Sequence, residues 1–265
     1  MHRASFCYNN VTPKIGKNTM ENKIRDIIGK YESSINILRL EERALKYNTL
    51  ILAEEGAGKT NLACKIRNFV IDKGVPTLYV DFADSSIAEI EARYKDGYFN
   101  YIQFDESDAF QEELDKLIAD KKHIYMAVNP NYFASKRDVK SKLTKTLQKQ
   151  EFLDGYYYFF HDIKNLDGFH SKFEDFLLYM LGFLNMKKYG LTFLAQPHTT
   201  FESQNVKLLF TFLYIGKCSN LDYFNTSQLK NLQKNQFFYQ YRTAHRTLLF
   251  NDIISNTVKI DEYKN

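Results

Sequence analysis

The chain contains no tryptophan, only three cysteines and no long uninterrupted apolar run. Each absence narrows the field. Cys7, Cys64 and Cys218 lie far apart, are odd in number and form no C-x-x-C pair. That speaks against a cysteine-built zinc site and against a disulfide framework. No stretch approaches the roughly 18 apolar residues that a helix needs to cross a bilayer. The densest apolar stretch, residues 169–183, is interrupted by Lys172, Glu174 and Asp175. The first twenty residues lack the continuous apolar core of a signal peptide. A cytoplasmic protein with no membrane span is expected (the host cytoplasm, if the source is viral). Internal repeats, low-complexity segments and long linkers are missing as well.

What remains is a chain of 265 residues, long enough to bury a substantial core as one large α/β domain or two small ones. The 22 phenylalanines and 19 tyrosines accompany plentiful Lys and Asn, a bias expected of an A+T-rich coding sequence, so they carry little functional information. The net charge of +4 permits contact with nucleic acid without requiring it.

Residues 1–19 are polar and read as a flexible tail. Residues 20–265 read as a single domain. Over 20–47 the spacing of Ile24, Ile27, Ile28, Ile35, Leu38 and Leu45 predicts a helical lead-in. The stretch that organises the rest is L-I-L-A-E-E-G-A-G-K-T-N, residues 50–61. An apolar strand stops at a glycine turn, and a helical pattern over 61–73 follows, closed by Gly74. Gly56 and Gly58 let the backbone curl so that successive N–H groups converge on phosphate oxygens. Lys59 reaches the β- and γ-phosphates, and the Thr60 hydroxyl takes a place on Mg²⁺. The new helix adds its positive end. Glu55, Gly56, Ala57, Gly58, Lys59, Thr60 and Asn61 are the expected nucleotide contacts, with ATP and Mg²⁺ as cofactors. Ala53 stands where the phosphate-loop pattern has its first glycine. Glu54 and Glu55 must turn their carboxylates away from the phosphates.

Strands are expected at 75–82, 100–104, 123–128, 156–161 and 190–195, with helices at 85–93, 108–120, 136–149 and 169–187 between them. This alternation implies crossover connections and a mainly parallel sheet. Residues 156–160 are all aromatic and lead into His161 and Asp162. An acid at the end of a strand neighbouring the phosphate-loop strand holds Mg²⁺ through water. Asp162 is the candidate, with Asp81 as its competitor, and His161 reads as a packed residue. Gln196 ends a buried strand and is placed to sense the γ-phosphate or the attacking water. Residues 206–216 give a short helix or turn and a last buried strand. Residues 236–241 and 247–250 should form a terminal hairpin. Lys136, Arg137, Lys140, Lys142, Lys145 and Lys149 face a single acid, Asp138, over fourteen residues. That helix buries Val139, Leu143 and Leu147. Its charged side is either a solvated face or a grip on nucleic acid phosphates.

The order of these parts resembles the HerA/FtsK superfamily of DNA-pumping ATPases, which includes virus packaging ATPases. A phosphate loop comes first, then an aromatic strand ending in Asp162, then a helix running into Lys187-Lys188-Tyr189-Gly190 and a strand ending in Ala195-Gln196. The resemblance covers residues 48–250. It implies a RecA-like three-layer P-loop NTPase fold with a C-terminal β-hairpin. It also implies a homo-oligomeric ring, hexameric in form, acting on DNA without regard to sequence. Lys59, Asp162 and Gln196 would be the catalytic residues, with Thr60 and Asp162 at the metal. Lys187, Lys188, Arg242 and Arg246 are candidates for a finger that reaches a neighbour's nucleotide. Lys136, Arg137, Lys140, Lys142 and Lys145 are candidates for DNA contact. Three departures stand out. Ala53 replaces a glycine, Ile163 replaces the glutamate that usually polarises water, and Lys187 replaces an arginine that would bind bidentately. Two readings follow. One is an ATP-hydrolysing motor that translocates or packages DNA. The other is a degenerate, weakly or non-hydrolysing ATP-binding subunit that assembles with or regulates a partner. A small-molecule kinase is weaker, because no Arg-rich lid segment or substrate motif is present.

Overall fold

The computed structural model of the chain describes residues 27–31, 37–82, 99–105, 107–129, 136–162, 178, 188–197, 201, 206, 208–219, 227–241 and 254–261. In chain order these form β1 (Ile27–Tyr31), β2 (Ile37–Arg39), a 3₁₀ turn (Glu42–Leu45), β3 (Thr49–Leu52), α1 (Lys59–Asp72), β4 (Thr77–Asp81) and β5 (Asn100–Gln103). Then come α2 (Asp108–Ala119), β6 (Ile124–Ala127), α3 (Lys136–Leu147), α4 (Gln150–Gly155), β7 (Tyr157–His161) and β8 (Leu191–Ala195). The chain continues through β9 (Phe212–Ile215), α5 (Ser227–Lys230), β10 (Gln236–Tyr241) and β11 (Ile254–Ile260).

All eleven strands belong to one sheet, ordered β2-β1-β11-β10-β9-β3-β8-β7-β4-β6-β5. From β9 to β5 every pairing is parallel. From β9 out to β2 every pairing is antiparallel. Strands β3, β4, β7 and β8 are buried at every position. Covered on both faces, they read as unbroken apolar runs rather than as alternation. Within each strand, alternate residues serve opposite cores. Leu50, Leu52, Leu78, Val80, Tyr158, Phe160 and Phe193 pack with Phe110 and Leu114 of α2, Val139, Leu143 and Leu147 of α3, and Phe152 of α4. Ile51, Tyr79, Tyr157, Phe159 and Leu194 pack with Leu62, Ile66, Phe69 and Val70 of α1 and with Ala44 of the 3₁₀ turn. The result is three layers, helix–sheet–helix, with a mainly parallel centre. Aromatic rings stack across neighbouring strands, as Tyr79 does on Tyr125 at 5.1 Å and Phe160 on Phe193 at 4.9 Å. Each fully buried Leu or Phe contributes roughly 1.5–3 kcal/mol.

Local signals set the helix ends. Ser107 caps α2 by accepting the Phe110 N–H at 3.1 Å. Gly74, in the left-handed region at φ +70°, closes α1. In α3, Val139, Leu143 and Leu147 are fully buried, as their spacing predicts. Among the described residues no helix is long and apolar enough to cross a membrane.

Two expectations are corrected. The lead-in over 20–47 is not helical where it is described: it forms β1, β2 and the short 3₁₀ turn. Its β-branched isoleucines suit strands, and the deciding pairing, β1 with β11, comes from the other end of the sequence. Gly29 fits this pairing because a side chain there would run into the Lys259 backbone. The terminal hairpin exists, but the partner of β10 is β11 at Ile254–Ile260, with Tyr241 opposite Ile254 and Gln236 opposite Lys259. Residues 247–250 lie outside the described residues. So do the tail at 1–19, the helix at 85–93, and the helix at 169–187 except for Leu178, which is helical and packs against the first core.

Candidate functional site

Strand β3 runs up the middle of the sheet between β8 and β9, in register with both. At its end the three strands stay tied. The Ala53 N–H donates to the Ala195 carbonyl (3.2 Å), the Gly216 N–H to the Leu52 carbonyl (2.8 Å), and the Glu54 N–H to the Lys217 carbonyl (2.9 Å). The loop from Ala53 to Gly58 therefore leaves a fixed platform. Gly56 and Gly58 adopt φ +75° and +102°, a region costly for other residues. Lys59 opens α1 and turns back over the loop, donating to the carbonyls of Ala53 (2.9 Å) and Glu54 (3.0 Å). Thr60 and Asn61 follow in the first helical turn and are half-buried.

Glu54 does not face the loop interior: its carboxylate accepts the Ser219 N–H. Glu55 is exposed. The alanine in place of the first glycine is accommodated from across the sheet. Ala53 is fully buried, and a methyl built on Gly216 would stand 2.8 Å from the Ala53 methyl. A glycine at the end of β9 thus leaves room for the methyl that the loop carries. Cys218 lies buried just beyond. Burial, and then the Glu54 carboxylate, push its thiol up to about 12, so it stays protonated and unreactive.

Gln196 ends β8, beside the loop strand as expected, and is half-buried. Asp162 ends β7, which is not adjacent to β3: β8 lies between them. The expectation of a neighbouring strand is corrected here. Chain order does not reveal that β8, made last of the three, inserts in the middle. Asp162 is held to β8 by its N–H, which donates to the Leu194 carbonyl at 3.1 Å, and its backbone is left-handed at φ +52°. Its Oδ1 is buried and finds no hydrogen-bond partner among the described residues. A metal-bound water would satisfy that oxygen; Thr60 and Asp162 are the residues that would hold such an ion beside a nucleotide.

Asp81, the competitor, lies one strand further out and is fully buried. Tyr125 donates its hydroxyl to one carboxylate oxygen, and His161 Nδ1 lies 3.3 Å from the other, without hydrogen-bond alignment. On its other side His161 Nε2 lies 3.7 Å from Asp162 Oδ2. Asp81 is thus taken up by an internal cluster.

Lys188 lies before the start of β8, at the opposite end of that strand from Gln196, exposed and 5.1 Å from the Tyr189 ring. It does not join this chain's own loop. Gly190 beside it abuts the Tyr47 backbone, where a side chain would not fit. Lys187, Arg242 and Arg246 lie outside the described residues. On α3, Lys145 is exposed and Lys140 and Lys142 are half-buried, while Lys149 pairs with Asp115 of α2. Lys136 and Arg137 begin the helix. Sequence reasoning missed Asn235, whose backbone N–H donates to the Ala57 carbonyl at 3.0 Å. The signal was weak: one asparagine before an aromatic strand.

No protein-family model and no curated protein sequence matches the chain. Solved structures match in fold. VirB4 of Thermoanaerobacter pseudethanolicus is 11% identical, with a TM-score of 0.59 over 89% of this chain and 96% of that one. The cytoplasmic domain of the Type VII secretion ATPase EccC of Thermomonospora curvata is 12% identical, with a TM-score of 0.51 over 89% of this chain and 28% of that one. The cytoplasmic domain of EssC is 12% identical, with a TM-score of 0.46 over 89% of this chain and 42% of that one. The chain thus spans less than half of the EccC and EssC chains. This is the P-loop NTPase fold. In fold the chain is similar to VirB4 and to the Type VII secretion ATPase EccC, and the loop at Ala53–Gly58 stands at the end of the central strand β3.

Proposed function

We propose that the chain binds ATP with Mg²⁺ at the loop between β3 and α1 and uses its hydrolysis to move DNA, as one subunit of a homo-oligomeric ring. The observation that carries the nucleotide reading is the loop itself. Two left-handed glycines and a buried, inward-folded lysine stand where a central strand meets a helix N-terminus. Lys59 would exchange its two carbonyl partners for phosphate oxygens. Thr60 and Asp162 would hold Mg²⁺, directly and through water, and the ion would offset phosphate charge. Gln196, at the end of the adjoining strand, would report the γ-phosphate. Lys187, Lys188, Arg242 or Arg246 would serve a neighbouring subunit's nucleotide. Lys59→Ala should raise the Kd for a fluorescent ATP analogue roughly 100-fold, the loss of charge-assisted hydrogen bonds, with little change in melting temperature. Unchanged affinity would remove the foundation of this reading.

The DNA reading rests on the one-signed face of α3 and on the resemblance of the chain's ordered motifs to DNA-pumping ATPases. A motor grips phosphates rather than bases because it must pass over any sequence. Each phosphate contact on duplex DNA contributes a slope of roughly −0.9 in log affinity against log salt, so three or four contacts give roughly −3 per subunit. Changing Lys140, Lys142 and Lys145 together to Glu should flatten that slope and reduce DNA-stimulated turnover, leaving nucleotide affinity alone. The EccC relative is named for secretion, so a triple variant that responds to DNA like the wild type would turn attention to another cargo. Ile163 favours the second reading, a subunit that binds ATP and hydrolyses it slowly or not at all. Single-turnover hydrolysis with and without DNA separates the two.

A further inference from the structure

Asn235 precedes β10 and touches the phosphate loop from the antiparallel side of the sheet. It is buried, and its backbone is left-handed at φ +65°, a conformation that asparagine tolerates better than most residues. Three of its polar groups are committed. Its N–H donates to the Ala57 carbonyl at 3.0 Å, its own carbonyl accepts the Ile260 N–H at 2.7 Å, and its side-chain Oδ1 accepts from Asn61 Nδ2 at 3.1 Å. Asn61 Nδ2 also donates to the Asp261 carbonyl at 3.0 Å. The side chain presses on the loop as well. A methyl on Gly58 would lie 3.2 Å from Asn235 Cγ and closer still to Oδ1. One residue therefore joins the loop, the first turn of α1 and the end of β11.

The contact to Ala57 has a directional consequence. The peptide between Ala57 and Gly58 is trans, so its C=O and N–H point to opposite sides. Fixing the Ala57 carbonyl on Asn235 turns the Gly58 N–H away from Asn235 and frees it for an anion. The amide packs against Gly58 so closely that only a residue without a side chain fits there. An amide suits this place better than an acid, which would set a negative charge against a phosphate site.

Building on the ATP reading above, we propose that Asn235 is a positioning residue for the phosphate loop: it orients the Ala57–Gly58 peptide for phosphate and makes the β10–β11 hairpin part of the nucleotide site. The test titrates a fluorescent ATP analogue against wild type, Asn235→Gly and Asn235→Asp, with melting temperature measured without nucleotide. Asn235→Gly keeps the left-handed backbone and removes only the side chain. It should weaken binding roughly tenfold, the scale of one lost hydrogen bond, while the nucleotide-free melting temperature shifts by only a few degrees. Asn235→Asp keeps the size and the acceptor for Asn61. It should melt like the wild type yet bind ATP more weakly, with part of the loss recovered as salt is raised. A role confined to folding predicts the reverse split, lower melting temperatures with unchanged affinity, and that result overturns the proposal. Should the glycine variant fail to fold, unchanged affinity in Asn235→Asp overturns it alone. Wild-type protein that does not bind the analogue would instead sink the ATP reading, and this role with it.

Discussion

The parallel strands β9 to β5 and the antiparallel strands β10 to β2 divide one sheet into two unlike halves. In the first, β3, β4, β7 and β8 are covered on both faces and buried throughout. The ends of β3, β7, β8 and β9 carry the loop, Asp162, Gln196 and Gly216. In the second, β10 is buried at only two positions, Phe237 and Gln240. That half holds the loop in place through Asn235 and closes the sheet with β1 and β2. The difference separates two parts: the parallel half carries the candidate site, and the antiparallel half touches its loop through Asn235.

The largest expected effect sharpens the assignment within the parallel half. Asp162→Asn should lower Mg²⁺-dependent single-turnover hydrolysis roughly 10- to 100-fold, the scale seen when an outer-shell metal partner is lost. Asp81→Asn should leave turnover within a few-fold and instead cost about 1–3 kcal/mol of stability, because Tyr125 and His161 surround it in a buried cluster. A greater loss of turnover from Asp81→Asn would reverse the two roles. The next effect tests the seam between loop and β9. Gly216→Ala places a methyl 2.8 Å from that of Ala53, an overpacking expected to cost about 1–3 kcal/mol. It should also weaken binding of an ATP analogue several-fold, and adding Ala53→Gly should restore part of both. Failure of the double variant to recover anything would mean that Phe237, 3.1 Å from the same methyl, sets the constraint. The smallest effect breaks the antiparallel half alone. Gly29→Ala meets the Lys259 backbone and should speed hydrogen exchange in β1 and β11, with β3 and β8 remaining protected. Uniform exchange across the sheet would show that the halves open as one unit.

These halves also differ in how much of them the sequence discloses. The parallel strands β3, β4, β6, β7 and β8 can be read from their apolar runs, within a few residues, because burial on both faces leaves a continuous local signal. The loop was found from glycine spacing, since only glycine adopts those angles cheaply. Three things were hidden. The insertion of β8 between β3 and β7 is a matter of order in space, which no local pattern records. The strands β1 and β2 carry isoleucines whose spacing fits a helix as well as a strand, and β11 alone decides between them. Asn235 gave no motif, because its role comes from the fold setting it against Gly58. The polar alternation of Ser255, Thr257 and Lys259 in β11 is a readable strand signal, placed further along than the partner expected at 247–250.

The pairing of Gly29 with Ile260 joins one of the first described segments to one of the last. Closing so long a loop is entropically costly until most of the remaining contacts exist, so such a pairing forms late in folding. During synthesis the parallel half can assemble while β11 is still inside the ribosome. Asn235 cannot finish its own bonds before Ile260 arrives. A nascent chain would therefore display a formed but unbraced loop at Ala53–Gly58, and, if that loop binds nucleotide as proposed, tight capture would mark the moment at which the last strand docks.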